Sequence, residues 1–263
     1  MTADAALSAP VLFYAAVLVL AAWGALMALR GDFWRAEQRL VEGEFQPDRW
    51  PTIAVVVPAR NEADVIEEAL LSISGQDYEG DIRVFLVDDR SDDETAHLAR
   101  RVPGVTVVSA SDTPPGWTGK LWAVSQGLAA AEEAGVPAEY FWLTDADIAH
   151  HPGELASLVA GSEHSGLDLN SLMVRLRIDR LWDVLLIPAF VFFFQKLYPF
   201  SWVNDPARKT AAAAGGSMLV RKSTLARIGG IDVIAGELID DCALARRIKS
   251  SGGRIRLALA TET

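Results

Sequence analysis

Two carboxylates one residue apart, Asp145 and Asp147, close the apolar run Tyr140-Phe141-Trp142-Leu143-Thr144. The run is too short for a helix of its own and predicts a strand. In open α/β sheets ligands collect beyond the carboxyl ends of strands, and such a pair would meet a metal there. Acidic oxygen donors with neither His nor Cys beside them suit Mg²⁺ or Mn²⁺ holding substrate phosphates. By itself an Asp-x-Asp is more often a solvated strand-to-loop junction. Its weight depends on what the neighbouring elements bring to the same edge.

Those elements alternate. Ile53-Ala54-Val55-Val56-Val57 is a run of the kind a parallel sheet buries on both faces, and it stops at Pro58-Ala59-Arg60-Asn61-Glu62. Asn61 is a candidate N-cap for a helix in which Val65, Ile66, Ala69, Leu70 and Ile73 have helical spacing. A second strand, Ile82 to Val87, ends in Asp88-Asp89, and Ser91-Asp92-Asp93-Glu94 has the S-x-x-E form of a capping box for the next helix. Val105 to Val108 reads as a third strand, and Pro114 to Lys120 as a turn into a helix ending near Gly135. Three alternations before the Asp145 strand predict an α/β fold with a mostly parallel sheet and right-handed crossovers. Asp240-Asp241 opens a later helix carrying Leu244 and Ile248, with Arg246, Arg247 and Lys249 toward its end. Both carboxylates there could simply be macrodipole partners. Arg254 to Leu259 reads as a final strand. G-x-G-x-x-G and Walker A sequences are absent, which removes the dinucleotide and P-loop readings.

Composition narrows the partners. A net charge of −11 argues against nucleic acid, whose phosphates need a basic face. The single cysteine, Cys242, excludes a disulfide framework within the chain. His97, His150, His151 and His164 lack metal-ligand spacing and read as surface or capping residues. Hydrophobic content of 51% is unevenly spread, and residues 10–29 contain no charge, about the length that crosses a bilayer as a helix. Arg30, Arg35, Arg39 and Arg49 follow, while residues 1–9 hold no Lys or Arg, so the positive-inside rule puts the rest of the chain in the cytoplasm. A cleaved signal peptide would want a basic segment before the apolar run. Residues 1–30 are therefore expected to anchor the chain, with 31–50 as a linker. Val184 to Phe194 is a second uncharged stretch, about 16 Å long as a helix and too short to span a membrane. Arg180, Trp182, Lys196, Tyr198 and Trp202 flank it, the mixture found at a membrane–water interface. An in-plane interfacial segment over 184–202 is expected, with a buried core helix as the alternative. Pro188 should kink it or mark its first turn.

Six motifs then carry a resemblance. Pro58-Ala59-Arg60-Asn61-Glu62, Val87-Asp88-Asp89-Arg90-Ser91-Asp92-Asp93, Gly119-Lys120, Asp145-Ala146-Asp147, Gly215-Gly216-Ser217 and Ile239-Asp240-Asp241 occur in the order seen in family 2 glycosyltransferases. The chain resembles that family, whose fold is a GT-A type, Rossmann-like, mostly parallel sheet flanked by helices. Residues 186–194 and 197–200 are similar to the hopanoid-biosynthesis-associated members. The resemblance implies a nucleotide-binding half over 51–150 and an acceptor half over 151–263. It implies that Pro58, Arg60, Glu62, Asp88 and Asp89 face the nucleoside, Asp89 accepting a hydrogen bond from uracil. Lys120 would lie near the phosphates or sugar, and Asp147 with Asp145 would hold Mg²⁺ or Mn²⁺ on the diphosphate. Gly215 and Gly216 would let the backbone pass close to sugar or acceptor, and Asp241, with Asp240 as the alternative, would be the general base.

Each of these has a plainer reading. Asp88 can be a turn cap and Gly215-Gly216 a simple turn. Lys120 near a helix start is mildly unfavourable, which tilts it toward a ligand. The implied activity is metal-dependent, inverting transfer of a hexose from a nucleotide-sugar donor, of the UDP type, to a lipid acceptor such as a hopanoid. The expected location is the cytoplasmic face of the inner membrane. Two departures stand against the family pattern. No Gln-x-x-Arg-Trp motif follows the base, and the sequence stops at Thr263, where members with lipid acceptors continue into further transmembrane helices. A C-terminally truncated chain is expected on that ground. The rival readings are a nucleotide-sugar-binding module without catalysis and a D-x-D phosphatase. The phosphatase motif would place Thr or Val where Ala149 stands, on a first rather than a fourth strand.

Overall fold

The computed structural model describes residues 3–41, 43, 45–176, 178 and 180–260. The outer ends of the expected anchor (1–2) and of the 51–263 segment (261–263) lie outside the described residues.

Seven strands form one sheet: β1 (Ile53–Ala59), β2 (Ile82–Asp88), β3 (Val105–Ser109), β4 (Tyr140–Thr144), β5 (Leu169–Met173), β6 (Ser217–Arg221) and β7 (Ile255–Leu259), in the order β3-β2-β1-β4-β6-β5-β7. All neighbours are parallel except β6, which runs antiparallel to both β4 and β5. The expected mostly parallel sheet is therefore present. The continuous apolar runs follow from burial on both faces. Alternate residues of β1 feed two cores: Ala54 and Val56 join one, Val55 and Val57 the other. The first core takes Leu121 and Val124 from α4 (Gly119–Glu133) and Leu244 and Ile248 from α9 (Asp240–Ser250). The second takes Ile66, Leu70 and Ile73 from α2 (Ile66–Ser74) and Leu155 and Leu158 from α5 (Glu154–Ser165). The short helices α3 (Thr95–Ala99), α7 (Phe200–Asn204) and α8 (Lys222–Arg227) fill the connections.

Two expected caps are not formed. Asn61 does not cap α2, whose N-cap position is Val65 with no side-chain bond. Ser91 does not make a capping box, because α3 starts later and its N-cap position, Glu94, also has none. Both side chains instead reach across between loops. The Asn61 amide donates to Ser91 Oγ at 3.0 Å and the Asp92 amide donates to Asn61 Oδ1 at 2.8 Å. The 31–50 segment is docked rather than loose. Phe33 and Leu40 are buried, and Leu40 N donates to Leu259 O at 3.0 Å along the edge of β7.

Helix α1 (Ala3–Leu29) contains the stretch Ala9–Leu29, 21 residues with a mean hydropathy of 2.3, long and apolar enough to cross a membrane. Helix α6 (Leu181–Leu197) has no buried residue, and Pro188 lies inside it. The two helices meet at their C-terminal ends. Arg30 Nε donates to Lys196 O at 2.6 Å, Phe192 packs on Trp23 and Phe33, and the Lys196 ammonium lies 4.6 Å from the Trp23 ring centre.

Candidate functional site

The carboxyl ends of β1, β2 and β4 and the start of β6 share one edge. On its β1–β2 side the two loops are laced together. Besides the Asn61–Ser91 pair, the Glu62 amide donates to Thr95 Oγ1 at 2.8 Å and the Ala63 amide to Asp93 Oδ2 at 3.1 Å. Asn61 and Arg90 both adopt positive φ, 56° in each case, so each loop turns back sharply after its strand. Asp89 is the buried carboxylate of this corner. Its amide donates to Ala59 O at 2.8 Å, and its side chain faces Arg90 at 3.2 Å and Arg60 at 3.8 Å. Asp88 points elsewhere: its Oδ1 accepts from the Ser91 amide at 3.3 Å, which is a turn-closing role. The structure brings Pro58, Arg60, Glu62, Asp89, Lys120, Asp145 and Asp147 to the lining of one open cleft of about 470 Å³, and leaves Asp88 out of that lining.

Lys120 links the two halves. It is the second residue of α4, whose N-cap Thr118 accepts from the Leu121 amide at 3.3 Å. Its Nζ lies 2.6 Å from Asp145 Oδ1 and 3.7 Å from Asp240 Oδ2. Burial opposes the charge on this ammonium, but Asp145 and Asp240 outweigh it and its pKa sits above the usual lysine value. Burial raises the Asp145 carboxyl; Lys120 draws it back only in part, and Asp147 and Asp240 add to the rise. Asp241 accepts from the Gly215 amide through Oδ2 at 3.0 Å and from the Cys242 amide through Oδ1 at 2.6 Å. Burial, with Asp240 beside it, still raises the Asp241 carboxyl. Gly215 is the floor under this group. A Cβ there would stand 3.5 Å from Lys120 Nζ, 3.6 Å from Asp241 Oδ2 and 3.8 Å from Asp145 Oδ2, so any longer side chain would fill the space between them. Gly216 has a packing reason instead, since a Cβ would meet Val174 Cγ2 at 2.9 Å.

The donor set can be tested against a divalent cation. Among the described residues no group of three or more His, Cys, Asp or Glu side chains could hold a metal. Asp145 and Asp147 therefore offer two carboxylates, which fits a hard cation that keeps waters and completes its shell with ligand phosphates. Excess negative charge is present to receive it. The Glu62 carboxyl is raised by burial and then by Asp147, Asp93 and Asp145. A second cleft of about 540 Å³ borders Asp147 on its other side, lined by Glu68, Ile148, Val174, Leu176 and Ile178 on the way to α6.

One feature escapes the sequence reading. His150, expected at the surface, is buried beside Trp142 with ring centres 4.5 Å apart and is bonded to Thr144 and Glu154. The four-residue spacing to Glu154, directly after the Asp-x-Asp, was the available signal. Cys242 is buried, and its thiol is pushed up to about 11, chiefly by burial.

A protein-family model described as Glycosyltransferase like family 2 matches residues 51–263. No curated protein sequence matches. Among solved structures, the mannosyltransferase PcManGT from Pyrobaculum calidifontis, in complex with GDP-Man and Mn²⁺, is similar with a TM-score of 0.64 and 24% identity over 93% of this chain and 67% of that one. Glucosyl-3-phosphoglycerate synthase from Mycobacterium tuberculosis, in complex with UDP, follows with a TM-score of 0.50 and 25% identity over 81% of this chain and 72% of its own. Mannosyl-3-phosphoglycerate synthase from Rubrobacter xylanophilus also has a TM-score of 0.50, at 18% identity over 81% and 67% of the two chains. At 24% and 18% identity the first and third likenesses speak to the fold alone.

Proposed function

The chain belongs to glycosyltransferase family 2, with a GT-A type sheet, and on that premise we propose that it moves a hexose from a UDP-type nucleotide donor to a membrane lipid in one inverting, metal-dependent displacement. The observation that carries this reading is the convergence of Lys120, Asp145 and Asp241 over Gly215, beside a cleft that also holds Asp89 and Asp147. Asp89, with Pro58, Arg60 and Glu62, lines the nucleoside end, where a buried carboxylate can accept a base N–H. Lys120 leaves Asp145 for the donor phosphates, exchanging one anion for another. Asp147, with Asp145, would hold Mg²⁺ or Mn²⁺, which when bound offsets the charge growing on the departing diphosphate and is worth several kcal/mol in such sites.

Asp241 takes the proton of the acceptor hydroxyl. Two backbone N–H groups fix the orientation of its carboxylate, and burial raises its basicity. Asp240, 3.7 Å from Lys120, is held by that cation and is the weaker choice. General-base help of this kind contributes about 10²–10⁴-fold.

The lipid part of the reading rests on α1 and α6. Leu181, Trp182, Leu185, Leu186 and Phe190 are all more than half exposed on α6, a surface expected to bind an apolar phase. Arg30 joins the end of α1 to the end of α6, so a membrane crossed by α1 would bring α6 to its cytoplasmic boundary. The similarity of residues 186–194 and 197–200 to hopanoid-associated members extends the proposal to a hopanoid-type acceptor at the inner membrane.

The test supplies the full chain in liposomes with labelled UDP-glucose or GDP-mannose and Mn²⁺, offering a bacterial lipid extract or 3-phosphoglycerate. Label in the lipid phase is the expected result. Transfer only to phosphoglycerate overturns the lipid acceptor, and donor binding without transfer to either leaves a binding module. A fluorophore on Leu185→Cys, readable against the inert Cys242, should be quenched by lipids carrying a quencher at headgroup depth. A label quenched only from water removes α6 from the interface.

A further inference from the structure

Behind the Asp145–Asp147 loop runs a buried polar chain that none of these roles uses. Trp142 Nε1 donates to Ser217 Oγ at 3.0 Å, and Ser217 Oγ donates to Glu154 Oε1 at 2.7 Å. Glu154 Oε1 lies 3.0 Å from His150 Nδ1, and His150 Nε2 lies 2.7 Å from Thr144 Oγ1. Thr144 Oγ1 then donates to Gly216 O at 2.8 Å. All five side chains are buried. The Thr144 hydroxyl donates to Gly216 O and the Ser217 hydroxyl to Glu154, so the His150 ring sits between two anchored side chains with one nitrogen toward each. Among the described residues Glu154 Oε2 is buried with no partner, a cost accepted at this carboxylate.

The location gives the chain its purpose. Thr144 opposite Ser217 is the last pair of the β4–β6 ladder. Beyond it Asp145, Ala146 and Asp147 leave one strand, and Gly216 and Gly215 lead into the other, with no backbone ladder to hold them together. Side-chain bonds from His150 and Thr144 continue the joint where the ladder stops. The far end of the loop is held too: the His150 amide donates to Ser72 Oγ at 2.9 Å, on α2. Resting on the donor-site reading above, we infer that His150 and Glu154 are positioning residues that lock the Asp145–Asp147 loop to the Gly215–Gly216 turn, so that metal-dependent nucleotide affinity depends on them. They touch neither donor nor acceptor and act only through Thr144, Ser217 and the loop.

The experiment compares the full chain with His150→Phe, which keeps a ring and loses both bonds, and Glu154→Gln, whose amide keeps the shape of the carboxyl group and can still accept from Ser217. Asn170→Ala, in a buried polar pair with Ser162 away from the site, is the control for plain destabilisation. Calorimetric binding of UDP–Mn²⁺ and hydrogen exchange of residues 144–149 are read below the unfolding temperature of every variant. His150→Phe should exchange faster in that segment and bind UDP–Mn²⁺ about 10- to 100-fold more weakly, the range expected when a group that orients metal-holding side chains is lost. Glu154→Gln should stay close to the parent, and Asn170→Ala should lower the melting temperature with affinity kept. Unchanged exchange and affinity in His150→Phe overturn the inference, as does an equal loss in Asn170→Ala. If His150→Phe does not fold, Ser217→Ala takes its place with the same expected results. If the parent binds no UDP–Mn²⁺, the donor-site reading falls, and the exchange comparison alone still decides whether His150 holds the loop.

Discussion

Where the parallel strands end, Glu62, Asp145 and Asp241 carry carboxyls raised above their usual range, first by burial and then by neighbouring carboxylates. Asp147 stands beside Glu62 and Asp145, and Asp240 beside Asp145 and Asp241. Where those strands begin, Asp168 is treated in the opposite way. It precedes β5 and binds the Thr224 hydroxyl, the Arg254 amide at 2.8 Å and Arg227 at 3.3 Å. Burial works to raise its carboxyl as well, yet those donors outweigh burial and leave it below the ordinary range. Its own amide and carbonyl also pair with Arg254 O and Arg221 N, joining β5, β6 and β7. One edge uses its acid to tie strands together, and the other crowds its acids so that burial and like charge outweigh the donors they have. Unsatisfied negative charge gathered in a cleft is electrostatic demand for a cation and for a proton, which is what the proposed chemistry supplies.

The largest expected effect is at Asp147. Asp147→Ala should weaken UDP–Mn²⁺ binding and transfer by about 10³-fold or more, the scale of several kcal/mol. Its melting temperature should not fall, because among the described residues no ion pair or hydrogen bond holds the Asp147 side chain. Calorimetry showing parent-like binding would place the cation elsewhere. Next comes Asp241→Asn, with transfer lowered about 10²–10⁴-fold while donor binding persists. If Asp240→Asn shows that loss and Asp241→Asn stays active, the base is one residue earlier. Asp168→Ala should do the reverse of both. Denaturant unfolding should show a loss of about 1.5–3 kcal/mol, the worth of hydrogen bonds to a charged group, at unchanged kcat per folded molecule. A fall in kcat there would dissolve the distinction between the edges.

Lys120→Met gives a smaller effect of mixed sign. Nucleotide affinity should drop, while Mn²⁺ alone should bind about two- to fivefold more tightly, since a partly exposed pair is worth up to about 1 kcal/mol and its loss frees Asp145. Tighter nucleotide binding would show that Lys120 is only a neutralising partner. The last effect is a slope. At pH values between the ordinary carboxylate range and the raised values, the folded state binds more protons than the unfolded chain. The contribution of Glu62, Asp145 and Asp241 to stability therefore falls as pH rises through that window. Asp168 contributes above the ordinary range and loses its contribution as pH falls through its lowered value. Saturating UDP–Mn²⁺ should flatten the first slope and leave the second, measured as unfolding free energy against pH.

The strands and the order of the motifs were legible because burial on both faces writes continuous apolar runs, as in Ile53 to Val57. So was the edge at which Pro58, Asp89 and Asp145 converge, since it follows from strand direction alone. What short-range rules could not supply were bonds between segments distant in sequence. Asn61 and Ser91 look like caps of their own helices, and instead they bond each other across 30 positions. Phe33 and Leu40 sit in a polar stretch that reads as a linker, yet both find apolar surface to cover. Motif register favours Asp89 over Asp88 in the sequence, and tertiary contact separates the two, a buried carboxylate lining the cleft against a turn cap. His150 was hidden by the same limit, because its burial depends on Trp142 and Ser217 arriving from other strands.

Strand β6 pairs Ser217 with Thr144 and Arg221 with Tyr140, so its beginning, not its end, lies at the cleft. Loop variation on its two sides then has unequal reach. Residues added before Ser217 enter the surroundings of Gly215, whereas residues added after Arg221 land on the rim that Asp168 holds. A lineage could therefore change acceptor choice by lengthening the segment before Ser217, whereas lengthening after Arg221 would pull Thr224 and Arg227 off Asp168 and cost stability instead. For the engineer the same asymmetry separates the two ends of one strand into a place to diversify and a place to leave alone.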